Sequence, residues 1–247
     1  MPPHAPARTR RRARSSFATA LLALALLVAW VFVVQPALER AGALPGGGAG
    51  GGTATGPAAT GPAASTPSLE GIVVADGASA EAYDRDLFGE PWADVDGNGC
   101  DTRNDVLIRD LADVAFRADS NGCIVRTGTL VDPYTGTQIS FVRGPDTSEA
   151  VQIDHLVPLS YAWRHGASEW TADQRVVFAN DPANLLAVAG AANQSKSDSG
   201  PAEWMPPSSA YACAYIAAFT AVLDRYDLTI APEDADAVAR VAAACPA

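Results

Sequence analysis

An α+β fold is predicted for residues 68–247 by three observations. Between Val151 and Pro207 the order reads strand, long loop, strand, short helix. Ahead of it stand β-prone runs joined by a strong turn, and behind it two helix-length segments with a cysteine at each outer end. Strands grouped apart from helices favour an α+β packing over an alternating parallel sheet.

The chain does not begin with that domain. Residues 1–16 carry Arg8, Arg10, Arg11, Arg12 and Arg14, and residues 17–37 hold no charged side chain. Such a stretch is long enough to cross a bilayer core, with its basic flank on the cytoplasmic side. A retained single-helix anchor is favoured, and cleavage at the Ala-x-Ala site of Ala41 to Ala43 is the alternative. Residues 38–67 are mostly Gly, Ala, Pro and Thr, centred on LPGGGAGGGTATGPAATGPAAS. That composition cannot bury a core and predicts a flexible tether. Everything after it is placed outside the cytoplasm, either membrane-anchored or secreted.

The segment DVDGNGCDTRND brings Asp94, Asp96 and Asn98 into alternation, with Asp105 at the twelfth position. It fits the opening of a calcium loop, although a glutamate is usual where Asp105 stands. The competing reading is an Asp/Gly-rich turn leading into a helix capped by Thr102, with Leu107, Leu111 and Val114 on one face. Tyr83, Phe88 and Trp92 read as core residues. Next, CIVRTGTL and TQISFVR flank the turn signal Asp132, Pro133, Tyr134, Thr135, Gly136, which predicts a hairpin.

In the central stretch, the β-prone run Val151, Gln152, Ile153 leads into Asp154 and His155, and Pro158 closes the segment. At a strand's end two successive side chains can reach one rim, although they leave opposite faces. Asn180, Asp181 and Pro182 signal a turn before Asn184, which opens the run Leu185 to Val188 and predicts an antiparallel partner strand. From about Ala189 the spacing of Asn193 and Lys196 predicts a helix, stopped by Gly200 and Pro201.

This constellation suits phosphodiester hydrolysis. Asp154 offers a hard carboxylate oxygen and Asn193 an amide oxygen, the donors that magnesium takes while keeping several waters. His155 can accept a proton near neutral pH. Asp154 and His155 in IDHLVP, Asn184 in NLLAV, and Asn193 and Lys196 in NQSKSD resemble the HNH nucleases of the ββα-metal (His-Me finger) fold. The nearest likeness is to the GmrSD-type C-terminal domain and to actinobacterial secreted proteins described as HNH endonuclease family proteins. The likeness extends from about Tyr83 to Pro207, with the motif core at 151–207; a helical hairpin at 208–247 follows it. It implies Asp154 and Asn193 as ligands of Mg2+, or Mn2+ in its place, with His155 as general base and Asn184 bracing its loop. Lys196 would meet a phosphate. Arg103, Arg143 and Arg175 are candidate phosphate contacts, and His165 reads as a packing residue.

Charge and cysteines refine the reading. Residues 68–247 hold eleven Lys and Arg against twenty-seven Asp and Glu, a formal charge near minus sixteen. Nucleic-acid proteins usually show a basic face, so this balance counts against broad duplex binding. A local groove of Arg103, Arg126, Arg143, Arg175 and Lys196, aided by divalent cations, would answer it. Cys100, Cys123, Cys213 and Cys245 form an even set that favours two disulfides in an exported domain, with three connectivities open. Cys100 with Cys123 and Cys213 with Cys245 is the favoured pairing, the second because antiparallel helices from Ser209 to Tyr226 and from Pro232 to Ala244 bring those ends together. No CxxC spacing supports zinc. The functions expected are therefore a metal-dependent endonuclease, with DNA favoured over RNA, or a calcium-stabilised surface-binding module on an inactive scaffold.

Overall fold

The computed structural model describes residues 67–246. The basic leader, the apolar segment and the tether up to residue 66 lie outside the described residues, so the expected anchor does too. Among the described residues no helix is long and apolar enough to cross a membrane.

The elements run α1 (Thr102–Asp110), β1 (Ala112–Phe116), β2 (Val125–Val131), β3 (Gln138–Val142), β4 (Val151–His155), α2 (Leu159–Arg164), α3 (Ala172–Ala179), β5 (Leu185–Ala189), α4 (Gly190–Lys196), α5 (Ala212–Arg225) and α6 (Pro232–Ala242), with short 3-10 turns between them. The fold is a mixed α+β domain with two small antiparallel sheets, one ordered β1-β2-β3 and the other β4-β5.

The β4–β5 ribbon lies at the centre because its two faces serve two cores. Alternation along a strand sends Val151 and Ile153, with Leu185 and Ala187, into a cluster shared with Val106, Leu107, Val125, Leu130 and Phe141. The opposite face sends Leu186 and Val188 into a second cluster with Trp163, Phe178, Tyr215 and Phe219. All five residues of β5 are buried, which is why the run LLAVA is continuously apolar. Asp154 pairs across from Leu186, on the face toward the second cluster.

Local corrections to the expectations have simple causes. Helix α1 is capped by Asp101, whose side chain accepts from the Asn104 N–H, and not by Thr102, whose hydroxyl donates to the Ala93 carbonyl at 2.5 Å. The helix ends at Asp110, so Val114 belongs to β1, a strand whose five residues gave too short a period to separate from the helix. Helix α4 stops at Lys196 because Ser197 turns to φ 53°, ahead of Gly200 and Pro201. Gly190 opens that helix for a steric reason: a Cβ there would lie 2.0 Å from the Glu149 carbonyl oxygen.

The Asp132 turn does more than reverse the chain. Its buried carboxylate accepts from the backbone N–H groups of Thr135 and Ala189, fastening the β2–β3 turn to the end of β5. Tyr134 is thereby carried into the second cluster. His165 is a packing residue, buried, stacked on Tyr161 with ring centroids 4.2 Å apart and within 2.9 Å of the Thr229 hydroxyl.

Both favoured disulfides are present, Cys100–Cys123 and Cys213–Cys245. The second joins the start of α5 to the chain just beyond α6. It spans 32 residues of sequence, so its loss is expected to cost about 3–4 kcal/mol through loop-closure entropy restored to the unfolded chain. Urea unfolding of Cys213→Ser/Cys245→Ser against the parent measures this, and an unchanged midpoint would contradict it.

Candidate active site

The ribbon, the loop after β4 and helix α4 enclose a cleft of about 410 Å³ whose lining includes Gln152, Asp154, His155, Asn193, Asp198 and Arg85. Asp154 and His155 both reach it from the end of β4, and Asn193 reaches it from α4. These three sequence-predicted residues are brought to one cavity.

His155 Nε2 lies 2.9 Å from the Ala179 carbonyl oxygen. A carbonyl only accepts, so Nε2 carries the proton and Nδ1 keeps its lone pair. Burial depresses the imidazole to a pKa of about 4, with the cations Arg85 and Lys196 adding to the effect and the bond to Ala179 opposing it. The ring is neutral at physiological pH.

Asn184 fixes the loop that follows. Its Oδ1 accepts from the Val157 N–H at 2.8 Å, its Nδ2 donates to the Val157 carbonyl, and its own carbonyl accepts from the Leu156 N–H. The fully buried amide thus holds the two residues after His155 in place.

Lys196 is not placed to meet a phosphate. It is completely buried, with Nζ 3.0 Å from Asp154 Oδ1 and 2.8 Å from the His155 carbonyl. The Tyr134 hydroxyl donates to Asp154 Oδ2 at 2.5 Å. Burial pushes the Asp154 carboxyl upward while the Lys196 ammonium pulls it back; burial likewise lowers Lys196, and Asp154 opposes that. Each charge is tolerated because the other is present.

The candidate phosphate arginines are also engaged internally. Arg143 donates to the Val125 carbonyl and to Asn104 Oδ1, both at 2.6 Å. Arg175 donates to the carbonyls of Leu87 and Trp170 and lies over the Trp163 ring. Arg103 bonds the Val151 carbonyl and is partly buried, while Arg126 is exposed on β2. The cation that does line the cleft is Arg85, which sequence reasoning passed over because a single arginine in YDRDLF carries no spacing signal. Tyr134 escaped for a similar reason: it read as part of a turn. Trp92 and Tyr83, expected in the core, pack against core residues and border the site as well. Trp92 stands parallel to the His155 ring, and Tyr83 lines the cleft.

The Asp94 to Asp105 loop closes on itself. Asp94 accepts the N–H groups of Gly97, Asn98 and Gly99, and the Asn98 amide donates to Asp96 and Asp105. Among the described residues no group of three or more His, Cys, Asp or Glu side chains converges as a metal site, here or in the cleft. The residues expected as calcium ligands form a hydrogen-bonded turn leading into α1.

Residues 101–241 match the family described as GmrSD restriction endonucleases, C-terminal domain. A protein of Arthroderma benhamiae named as an uncharacterized secreted protein is 36% identical over 179 residues, covering 72% of this chain and 82% of the relative. The chain belongs to the GmrSD C-terminal domain family. No solved structure matches it. The GmrSD family match covers α1 through most of α6, so both sheets and all the cleft residues on β4 and α4 fall inside it.

The buried pair generates a test. Lys196→Met would leave the Asp154 carboxylate buried without its cation, and a loss of about 3–5 kcal/mol is expected at pH 7. The loss should shrink as pH falls and Asp154 takes a proton. Urea titrations at pH 7 and at about pH 5 measure this; a deficit under about 1 kcal/mol at pH 7 would contradict the pairing.

Proposed function

We propose that this chain is an exported, metal-dependent endonuclease of the HNH type, hydrolysing phosphodiester bonds of nucleic acid, with DNA favoured over RNA. The observation that carries the reading is the convergence of Asp154, His155 and Asn193 on one cleft, with the histidine tautomer set by Ala179. Strand β4, strand β5 and helix α4 would form the ββα-metal unit.

In this mechanism His155 Nδ1 takes the proton of the attacking water. An imidazole near pKa 4 is always in its basic form at neutral pH but is a weak proton acceptor. The arriving phosphate raises that basicity, since an anion nearby favours the imidazolium. Asn184 keeps the imidazole oriented by holding Leu156 and Val157, and Lys196 does the same by holding the His155 carbonyl. Arg85 faces the phosphate at the rim.

The donor set fits a sparsely held hard cation. The Asp154 oxygens accept from Tyr134, Lys196 and the His155 N–H, which leaves part of their acceptor capacity open, and Asn193 donates through Nδ2 to Gln152 while keeping Oδ1. Asp154 and Asn193 would hold Mg2+, or Mn2+, chiefly among waters, consistent with few protein ligands. When bound, the cation neutralises charge on the scissile phosphate and the departing oxygen.

The two disulfides and the secreted designation of the fungal relative support an extracytoplasmic location. Residues 1–16 would stay in the cytoplasm, residues 17–37 would anchor or export the chain, and residues 38–67 would tether the domain.

The test uses the full chain, cysteines oxidised, with supercoiled plasmid in Mg2+, Mn2+, Ca2+ or EDTA. Nicking should require a divalent ion and fall by a factor of about 10²–10⁴ in His155→Ala. Nicking that persists in EDTA or in His155→Ala would contradict the assignment.

A further inference from the structure

The cleft does not end at the polar residues. A second, smaller cavity of about 60 Å³ adjoins it and shares Arg85, His155 and Leu159 with it. This slot has an apolar wall of Phe88, Pro91, Trp92 and Ala179, and Asp86, Glu90 and Asn180 complete its lining on the polar side. Among the described residues, Arg85 is the one cation that lines both cavities. A polar cleft suited to a phosphate and an apolar aromatic slot therefore meet at the imidazole.

Trp92 is built into that junction. Its indole lies 14° from parallel with the His155 ring, at a centroid distance of 6.3 Å. Its backbone stands at φ 60°, a region that bulky residues avoid, and the Thr102 N–H holds its carbonyl. The ring is only partly buried against the first core cluster, so it packs there and still lines the slot.

Electrostatics limit what such a site can hold. Duplex binding draws most of its affinity from phosphates neutralised along an extended basic face. Here the domain is strongly acidic, and Arg103, Arg143 and Arg175 donate to backbone or side-chain oxygens within the fold. A single strand can be held with fewer cations, because each unpaired base stacks on an aromatic face.

We propose that Trp92 is the stacking platform for an unpaired nucleobase beside the scissile phosphate, making single-stranded DNA the preferred substrate form. The inference rests on the nuclease reading and assigns the substrate class of that same site. The 60 Å³ slot is too small to enclose a nucleoside, so the base lies across the Trp92 face at the mouth while the adjoining phosphate enters the polar cleft under Arg85. A paired base could not leave its stack to make this contact without breaking its own pair.

The test separates the inference from the reading beneath it. The full chain carrying His155→Ala is titrated by fluorescence anisotropy against a short labelled DNA strand and against the blunt duplex of the same sequence. The single strand is expected to bind at least about tenfold more tightly. Adding Trp92→Ala should cost about tenfold on the single strand and little on the duplex, while Trp92→Phe keeps most of the affinity. Equal binding of the two forms, or an equal loss on both in the Trp92→Ala chain, overturns the inference. Should the unmutated chain cleave duplex as efficiently as single strand, with Trp92→Phe and Trp92→Ala both unaltered, the inference falls and the nuclease stands. If no DNA form is bound or cleaved, both fall.

Discussion

The ion pair between Lys196 and Asp154 is the constraint on which the rest of the site depends. A fully buried ammonium is tolerated only beside a partner that returns most of the lost hydration. Asp154 is that partner, and the His155 carbonyl and Tyr134 hydroxyl complete the network. Through it, the last residue of α4 is bonded to the end of β4. The pair thus sets the position of α4, which carries Asn193, against the strand that carries His155. Tyr134 brings in the β2–β3 turn, which Asp132 fastens to the end of β5. Three segments remote in sequence therefore meet around one carboxylate.

The same arrangement explains the division of labour among polar residues. Arginines that could have made a basic face instead tie elements together: Arg109 bonds the carbonyls of Pro182 and Leu185, and Arg143 holds the start of β2. What remains open is the cleft, with Arg85 in its lining, and the slot beside it that Trp92 lines. An acidic protein can act on an acidic polymer under these conditions if affinity comes from stacking and from bound divalent cations as well as from its own charge.

Much of this was legible in the sequence, and the parts that were not have physical reasons. The strand, loop, strand, helix order followed from apolar runs bounded by turn residues, and the Cys213–Cys245 pairing from the geometry of two antiparallel helices. The family was readable because Asp154, His155, Asn184, Asn193 and Lys196 stand together within one short stretch. The direction of long side chains was not. Lys196 read as a phosphate contact because nothing local reveals that a buried carboxylate lies forty-two positions earlier in the chain. Arg143 and Arg175 misled in the same way. β1 was absorbed into the preceding helix because a five-residue strand has no distinctive period. Trp92 read as core, which is half correct, since one indole both packs and lines a slot.

The fold delivers a neutral imidazole at His155 with its lone pair on Nδ1. This is tested most directly by nitrogen NMR of the full chain labelled at histidine, followed from pH 8 down to pH 4. His155 should show a protonated Nε2 and an unprotonated Nδ1 throughout the neutral range, taking its second proton only at about pH 4. A His155 that carries its proton on Nδ1, or that titrates near the ordinary value of 6.5, would contradict it.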